Sequence, residues 1–156
     1  MKLLVMSDSH RKTEPMLEAV RIETPDHIVH LGDHDADCAA LSEQFPQIPL
    51  RTLKGNCDPR STAPDDDEFE LEGVKFFITH GHMHGVKSGP AQIVDMARQK
   101  GADVLLFGHT HVPYHSKMQG VTLINPGSIG EKIYAVLEIK NGAVNCKIKE
   151  IPQPKV

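Results

Sequence analysis

A chain of 156 residues with 39% hydrophobic and 24% charged residues can bury a sizeable core, and it reads as one globular domain over residues 1–156. A formal net charge of -4, no Trp, and only 2 Tyr and 5 Phe argue against a nucleic-acid patch or an aromatic platform for stacked bases. With 3 cysteines and no C-x-x-C there is no sign of a disulfide framework or thiolate zinc site; no apolar stretch approaches a membrane span, and residues 1–8 turn polar too soon for a signal peptide, so a cytoplasmic protein is expected.

Residues 2–6 lack alternation and predict a strand buried on both faces. The strand runs into Ser7-Asp8-Ser9-His10. Thr13 is a candidate helix cap with Pro15 in the first turn, and Met16, Leu17 and Val20 form an apolar stripe that stops before Pro25. Residues 26–31 predict a second strand, in which His27 and His30 read as surface or satisfied core residues. Gly32 then lets the backbone turn sharply into Asp33 and His34. A helix is expected from about Asp37 to Gln44, and a third strand over residues 48–53 that ends in Gly55-Asn56-Cys57-Asp58.

Residues 61–68, with their acidic run from Asp65 to Glu68, read as a solvated loop. Phe69 and Leu71 alternate with glutamates, Gly73 turns the chain, and residues 74–79 return as the second strand of a hairpin. That strand delivers His80-Gly81-His82-Met83-His84. Pro90 opens a helix carrying Ile93, Val94 and Met96, closed by Gly101. Residues 102–107 predict another buried strand, leading to Gly108-His109-Thr110-His111, and His115 falls in a loop beyond it. Residues 121–124 form a strand that ends at the turn Asn125-Pro126-Gly127-Ser128. Residues 133–139 and 143–151 flank Asn141-Gly142, a strong hairpin signal. The front half is βαβ-like and the back half antiparallel.

In extended backbone, residues two apart face the same way, so Asp8/His10, His80/His82 and His109/His111 should each present both side chains at a strand's carboxyl end. One His-X-His pair proves little. Here Asp33 and Asn56/Asp58 emerge at the same kind of position, outside the carboxyl ends of strands, where open α/β sheets bind ligands. Carboxylate, amide and imidazole donors without thiolate suit Mn²⁺, Fe, Zn²⁺, Ni²⁺ or Co²⁺ better than Ca²⁺ or Mg²⁺. The donors are too many for one ion, and two ions sharing Asp33 would use them all. Two ions about 3.5–4 Å apart stabilise both attacking and leaving oxygens, and they acidify a bridging water so that hydroxide exists near neutral pH. That chemistry is phosphoester hydrolysis.

In order and spacing, Asp8-X-His10, Gly32-Asp33, Gly55-Asn56-X-Asp58, His80-Gly81-His82 and Gly108-His109-X-His111 resemble the calcineurin-like metallophosphoesterases. Chain length, Gly55-Asn56-Cys57-Asp58 and Asn125-Pro126-Gly127-Ser128 are similar to the small single-domain phosphodiesterase branch, which includes the retromer sorting subunit. The resemblance implies an α/β fold, a four-layer αββα sandwich of two mixed β-sheets flanked by helices. It implies two divalent ions, Mn²⁺ first among the candidates: one on Asp8, His10, Asp33 and His111, the other on Asp33, Asn56, His80 and His109. It implies a metal-dependent phosphodiesterase acting on a small phosphoester through a metal-bound hydroxide. A phosphomonoesterase and a non-catalytic protein-binding scaffold are the alternatives. Asn56 would stabilise developing charge and Asp58 would orient a ligand or the substrate. His82, with His34 and His84 as alternates, would contact phosphate or donate a proton. Much of the family has a histidine where this chain has Cys57, whose thiol, with a pKa of about 8.5, is a weak donor. Cys57 otherwise reads as a small buried residue. Related small proteins often pair, so a homodimer or other homo-oligomer is expected.

Overall fold

The computed structural model describes residues 1–152. The strands are β1 (Lys2–Met6), β2 (His27–His30), β3 (Leu50–Thr52), β4 (Asp66–Leu71), β5 (Val74–Thr79), β6 (Val104–Phe107), β7 (Tyr114–Met118), β8 (Val121–Asn125), β9 (Ile133–Lys140) and β10 (Ala143–Glu150). The helices are α1 (Thr13–Glu23), α2 (Cys38–Gln44) and α3 (Ala91–Gln99). One sheet has the order β10-β9-β1-β2-β3 and the other β4-β5-β6-β8-β7. In the first, β1, β2 and β3 run parallel, β9 is antiparallel to β1, and β10 is antiparallel to β9. In the second, β5, β6 and β8 are parallel, with β4 and β7 as antiparallel edges.

The two-residue period of the strands sorts the apolar side chains into three layers of packing. Leu3, Val5, Val29 and Leu31 meet Phe76, Ile78, Val104 and Leu106 between the sheets. Leu4, Met6 and Ile28 face the other way, onto Met16, Leu17 and Val20 of α1 and Leu41 of α2. Phe77, Leu105 and Phe107 pack on Ile93, Val94 and Ala97 of α3. The result is helices, sheet, sheet, helix: the four-layer α/β sandwich. Leu3, Leu4, Val5 and Met6 are all 0% exposed, so β1 contributes on the order of 6–12 kcal/mol of apolar burial at about 1.5–3 kcal/mol per side chain.

The parallel strands of both sheets end on one side of the molecule, and their loops are tied together. Asp8 N–H donates to Gly32 O at 2.9 Å and Gly108 N–H to His80 O at 3.1 Å, each joining neighbours within a sheet. His80 Nδ1 reaches Leu31 O at 2.7 Å and joins one sheet to the other.

Four readings of the sequence need correction. Residues 66–68 are not loop but the start of β4, with Asp66 opposite Thr79; an edge strand tolerates charge because one flank stays in water. His115 lies on β7 opposite Ile124, another edge strand, whose polar composition hid it. The back half is not purely antiparallel, since β8 lies parallel beside β6. Thr13 is the first residue of α1 rather than its cap, and Lys12 in that place makes no capping side-chain bond.

Candidate metal centre

The donors converge by a different route from strand alternation. β6 ends at Phe107, and His109 (φ 70) and His111 (φ 62) lie beyond it in the left-handed region. Asp8 (φ 57), His10 (φ 47) and Asp33 (φ 62) are left-handed too. Each such residue costs on the order of 1–2 kcal/mol. The kinks split the expected pairs: His111 faces the Asp8–His10 group, while His109 faces His80 and Asp33.

The surroundings hold these kinks. Asp8 Oδ2 accepts from Ser7 Oγ at 2.6 Å and from His109 N–H at 3.2 Å. Ser128 Oγ donates to Asp8 O at 2.9 Å. The buried Asn125 amide donates to Gly108 O at 3.2 Å and to Thr110 Oγ1 at 3.0 Å, fixing the loop between the two histidines. Asp33 Oδ1 accepts Cys57 N–H at 2.9 Å. A methyl group on Gly108 would fall against Ser7 Oγ and within 3.1 Å of Asp8 Oδ2, so only glycine lets the strand end come this close.

Two overlapping donor groups result. One ligand atom each from Asp8, His10, Asp33 and His111 lie within 4.8 Å of one another, and so do those of Asp33, His80 and His109. Asp33 belongs to both. Asn56 Oδ1 joins the second group, 3.1 Å from His80 Nε2 and from His109 Nδ1 and 3.2 Å from both Asp33 carboxylate oxygens.

All of these atoms carry lone pairs. Either the Asn56 amide turns and its nitrogen donates to them, or a cation sits among them. Asp8 Oδ1 has no such remedy. It is buried without a hydrogen-bond partner, 3.2 Å from His111 Nε2, 3.8 Å from His80 Nε2 and 3.9 Å from His10 Nε2. A buried carboxylate oxygen left unpaired is costly, and a divalent cation on this O/N donor set removes the cost.

The electrostatics agree. Burial pushes the Asp8 carboxyl above the ordinary range, with His80, Ser7 and His111 opposing it. Burial acts the same way on Asp33, but the hydrogen bond and charge of His80 and the Cys57 N–H overcome it and hold Asp33 well below that range. Burial would lower His80, yet Asp33 and Asp8 raise it. His109 is lowered to about 4 by burial and by the charges of His80 and Lys87, leaving a neutral ring at pH 7.

The remaining candidates fall out by their contacts. Asp58 accepts from His34 N–H at 2.7 Å and Gly55 N–H at 2.8 Å, so it braces the loops that carry Asp33 and Asn56. The His82 ring stands 5.3 Å from that of His80, its Nδ1 is buried without a partner, and burial followed by the charge of His80 lowers its pKa. His84 is engaged by Asp66 at 3.1 Å. His34 packs edge-on against His10 with ring centroids 5.2 Å apart. Cys57 is exposed, not buried, because its loop stands off the sheet edge; partial desolvation and the Asp33 charge push its thiol up.

Sequence reasoning allowed His30 as a satisfied core residue but missed the network it anchors. His30 is a satisfied core residue: its Nδ1 accepts Gly32 N–H at 3.2 Å and its Nε2 meets Ser9 Oγ at 3.1 Å. Ser9 Oγ in turn donates to Asp37 Oδ2 at 2.7 Å. This network clamps the turns bearing His10 and Asp33. Its only sequence signal is polar residues inside otherwise apolar runs.

Two clefts border the centre. An apolar one of about 240 Å³ runs under the His109–His111 loop, between Val86, Pro90, Phe107, Thr110, Val112 and Tyr114. A polar one of about 600 Å³ starts at His34 and Cys57.

Two mixed sheets that bring carboxylates and imidazoles together at their shared carboxyl edge define a metallophosphoesterase, a class that works with divalent metal ions. The chain belongs to the calcineurin-like phosphoesterase superfamily, whose domain matches residues 1–142. Among curated relatives, it is 33% identical to Probable metallophosphoesterase YsnB of Bacillus subtilis (strain 168), over 94% of this chain and 89% of that protein. It is 28% identical to Phosphodiesterase MJ0936 of Methanocaldococcus jannaschii, over 81% and 83%. Among solved structures, a conserved uncharacterized protein of Streptococcus pneumoniae TIGR4 described as a predicted phosphoesterase superposes with a TM-score of 0.81 at 26% identity, covering 96% of this chain and 88% of that one.

Proposed function

We propose that this chain is a phosphodiesterase that uses two divalent metal ions, Mn²⁺ before Fe, Ni²⁺, Zn²⁺ or Co²⁺. The observation that carries this reading is Asp8 Oδ1, buried, unpaired and ringed by three imidazole nitrogens. Asp8, His10, Asp33 and His111 would hold one ion; Asp33, Asn56, His80 and His109 would hold the other. Bound ions there would neutralise phosphoryl charge and acidify a water near neutral pH.

The protein's own groups supply position and protons. Asp33 stays ionised and is aimed by Cys57 N–H. His80 donates Nδ1–H to Leu31 O, which fixes its tautomer and turns Nε2 inward. Asn56 would help stabilise charge developing on the phosphoryl oxygens, and Asp58 keeps that loop in register. His82, neutral at pH 7, offers an N–H to a phosphoryl oxygen rather than a full proton. His34, beside His10, would be the group to meet the leaving alkoxide. A diester is favoured over a monoester because the polar cleft at His34 and Cys57 gives a second ester arm a place. The phosphodiesterase name of one relative supports the same reading. No donor of the set is missing, which speaks against a pure scaffold.

The test is nitrophenol release from bis(p-nitrophenyl) phosphate and from p-nitrophenyl phosphate, with each metal in turn. Metal-dependent release with preference for the diester is expected, together with about two ions per chain by elemental analysis. No turnover with any of the five metals would end the proposal.

A further inference from the structure

The polar cleft is more than spare volume. Its walls include Arg11, His34, Cys57, Arg60 and Ser61, and its roughly 600 Å³ lies within the range of small-ligand sites. It opens directly off the centre: donor atoms of His10, His34 and Cys57 lie within 4.8 Å of one another.

The three carboxylates on its walls are already engaged. Asp37 accepts from Ser9 Oγ at 2.7 Å and Arg11 N–H at 2.8 Å. Asp58 is held by the backbone N–H groups of His34, Asp35 and Gly55. Asp35 accepts from the Ser61 hydroxyl. The guanidinium groups are not engaged. Elsewhere Arg21 pairs with Glu14 and Glu18, Arg51 with Asp67, and Arg98 with Gln119. The side chains of Arg11 and Arg60 have no such partner among the described residues. An acidic chain, with net charge -4, therefore keeps two uncommitted cations in a cleft beside its phosphate-handling centre.

We propose that this cleft is a subsite for a second phosphate on the substrate, taken by Arg11 and Arg60. The inference rests on the phosphodiesterase reading and narrows it: the substrate is a phosphodiester whose one arm carries a further phosphate group. A guanidinium meets a phosphate with two parallel N–H donors, which gives orientation as well as affinity.

A matched pair of substrates tests it: thymidine 5′-(p-nitrophenyl phosphate) with and without a 3′-phosphate. The wild type should show a KM about tenfold lower for the 3′-phosphorylated ester, the size of one or two charge-assisted contacts. The Arg11→Gln/Arg60→Gln double variant should lose that advantage while its KM for the plain ester moves by less than about twofold. A melting curve confirms that the variant folds. Calorimetry with Mn²⁺-supplemented protein needs no turnover: thymidine 3′,5′-bisphosphate should bind about tenfold tighter than thymidine 5′-monophosphate, and the double variant should bind both alike. Equal affinities in the wild type, or an unchanged ratio in the double variant, overturns the subsite. Failure to cleave either ester, with the binding ratio intact, overturns the phosphodiesterase reading and leaves the subsite standing.

Discussion

The Nε2 atoms of His10 and His111 lie 3.3 Å apart, and both face the unpaired Asp8 Oδ1. These rings come from loops 101 residues apart in sequence, so an ion between them would tie those loops together. Added Mn²⁺ should therefore raise the melting temperature. At a hundredfold excess over its Kd the gain is about 2.7 kcal/mol, or roughly 5–11 °C for a chain of this size. Scanning fluorimetry on chelator-stripped protein measures it, and His111→Ala should abolish most of the shift. No shift with any of the five metals would refute the centre.

Asp33 is shared by both donor groups, so Asp33→Asn removes the charge on which both depend. Activity on the aryl diester should fall by more than the roughly 10–100-fold typical of residues that only orient ligands. Elemental analysis should show metal content falling with it. Circular dichroism should stay unchanged, since Asn can still accept Cys57 N–H.

Gly108→Ala tests the close packing around Asp8. The added methyl must displace Ser7 Oγ and Asp8 Oδ2. Stability should drop by about 1–3 kcal/mol, and activity by about tenfold or more, because the carboxylate can no longer take its place. Wild-type activity in a folded variant would show that Asp8 position is not critical.

Glu23 predicts the acid limb of the stability curve. It is 2% exposed and meets Tyr134 OH at 2.7 Å and Lys149 Nζ at 3.1 Å. Burial pushes its carboxyl up, but Tyr134, Lys149 and Lys2 reverse that and hold it below its ordinary value of 4.5. A depressed folded pKa gives stability that is full above the unfolded pKa and is lost as pH falls through the folded one. Glu23 therefore supports the fold at neutral pH and fades as a support below about pH 4.5. Glu23→Gln should cost about 1–3 kcal/mol at pH 7 and lose less on acidification than the wild type. Urea unfolding at pH 7 and pH 3 would measure both, and parallel pH curves would contradict the assignment.

Much of this molecule can be read from the chain alone, because polar donors follow directly on apolar runs: Asp8 after β1, His80 after β5, His109 after β6. Such junctions mark strand ends whatever the tertiary context. The start of edge strand β4 and the whole of β7 escaped because their side chains are polar on the face water sees, so Asp66 and His115 look like loop. The left-handed turns at His109 and His111 escaped because nothing in the residue types announces them; hydrogen bonds to Asp8 and Asn125, distant in sequence, hold them. Cys57 was misplaced for a related reason: burial depends on what stands over a loop, which local sequence does not record.

β1 lies between β2 and β9, with Leu4 opposite both Ile28 and Val136. On a ribosome, the segment bearing Asp8 and His10 is made well before β9, so one flank of its strand finds a neighbour only after β9 has emerged. Until then the nascent polypeptide carries the apolar run of residues 3–6 with one flank open. Chaperone capture and premature cation loading should both be decided in that interval, and shortening or delaying the β9–β10 hairpin should expose the newborn chain to aggregation more than any change in the loops that carry the donors.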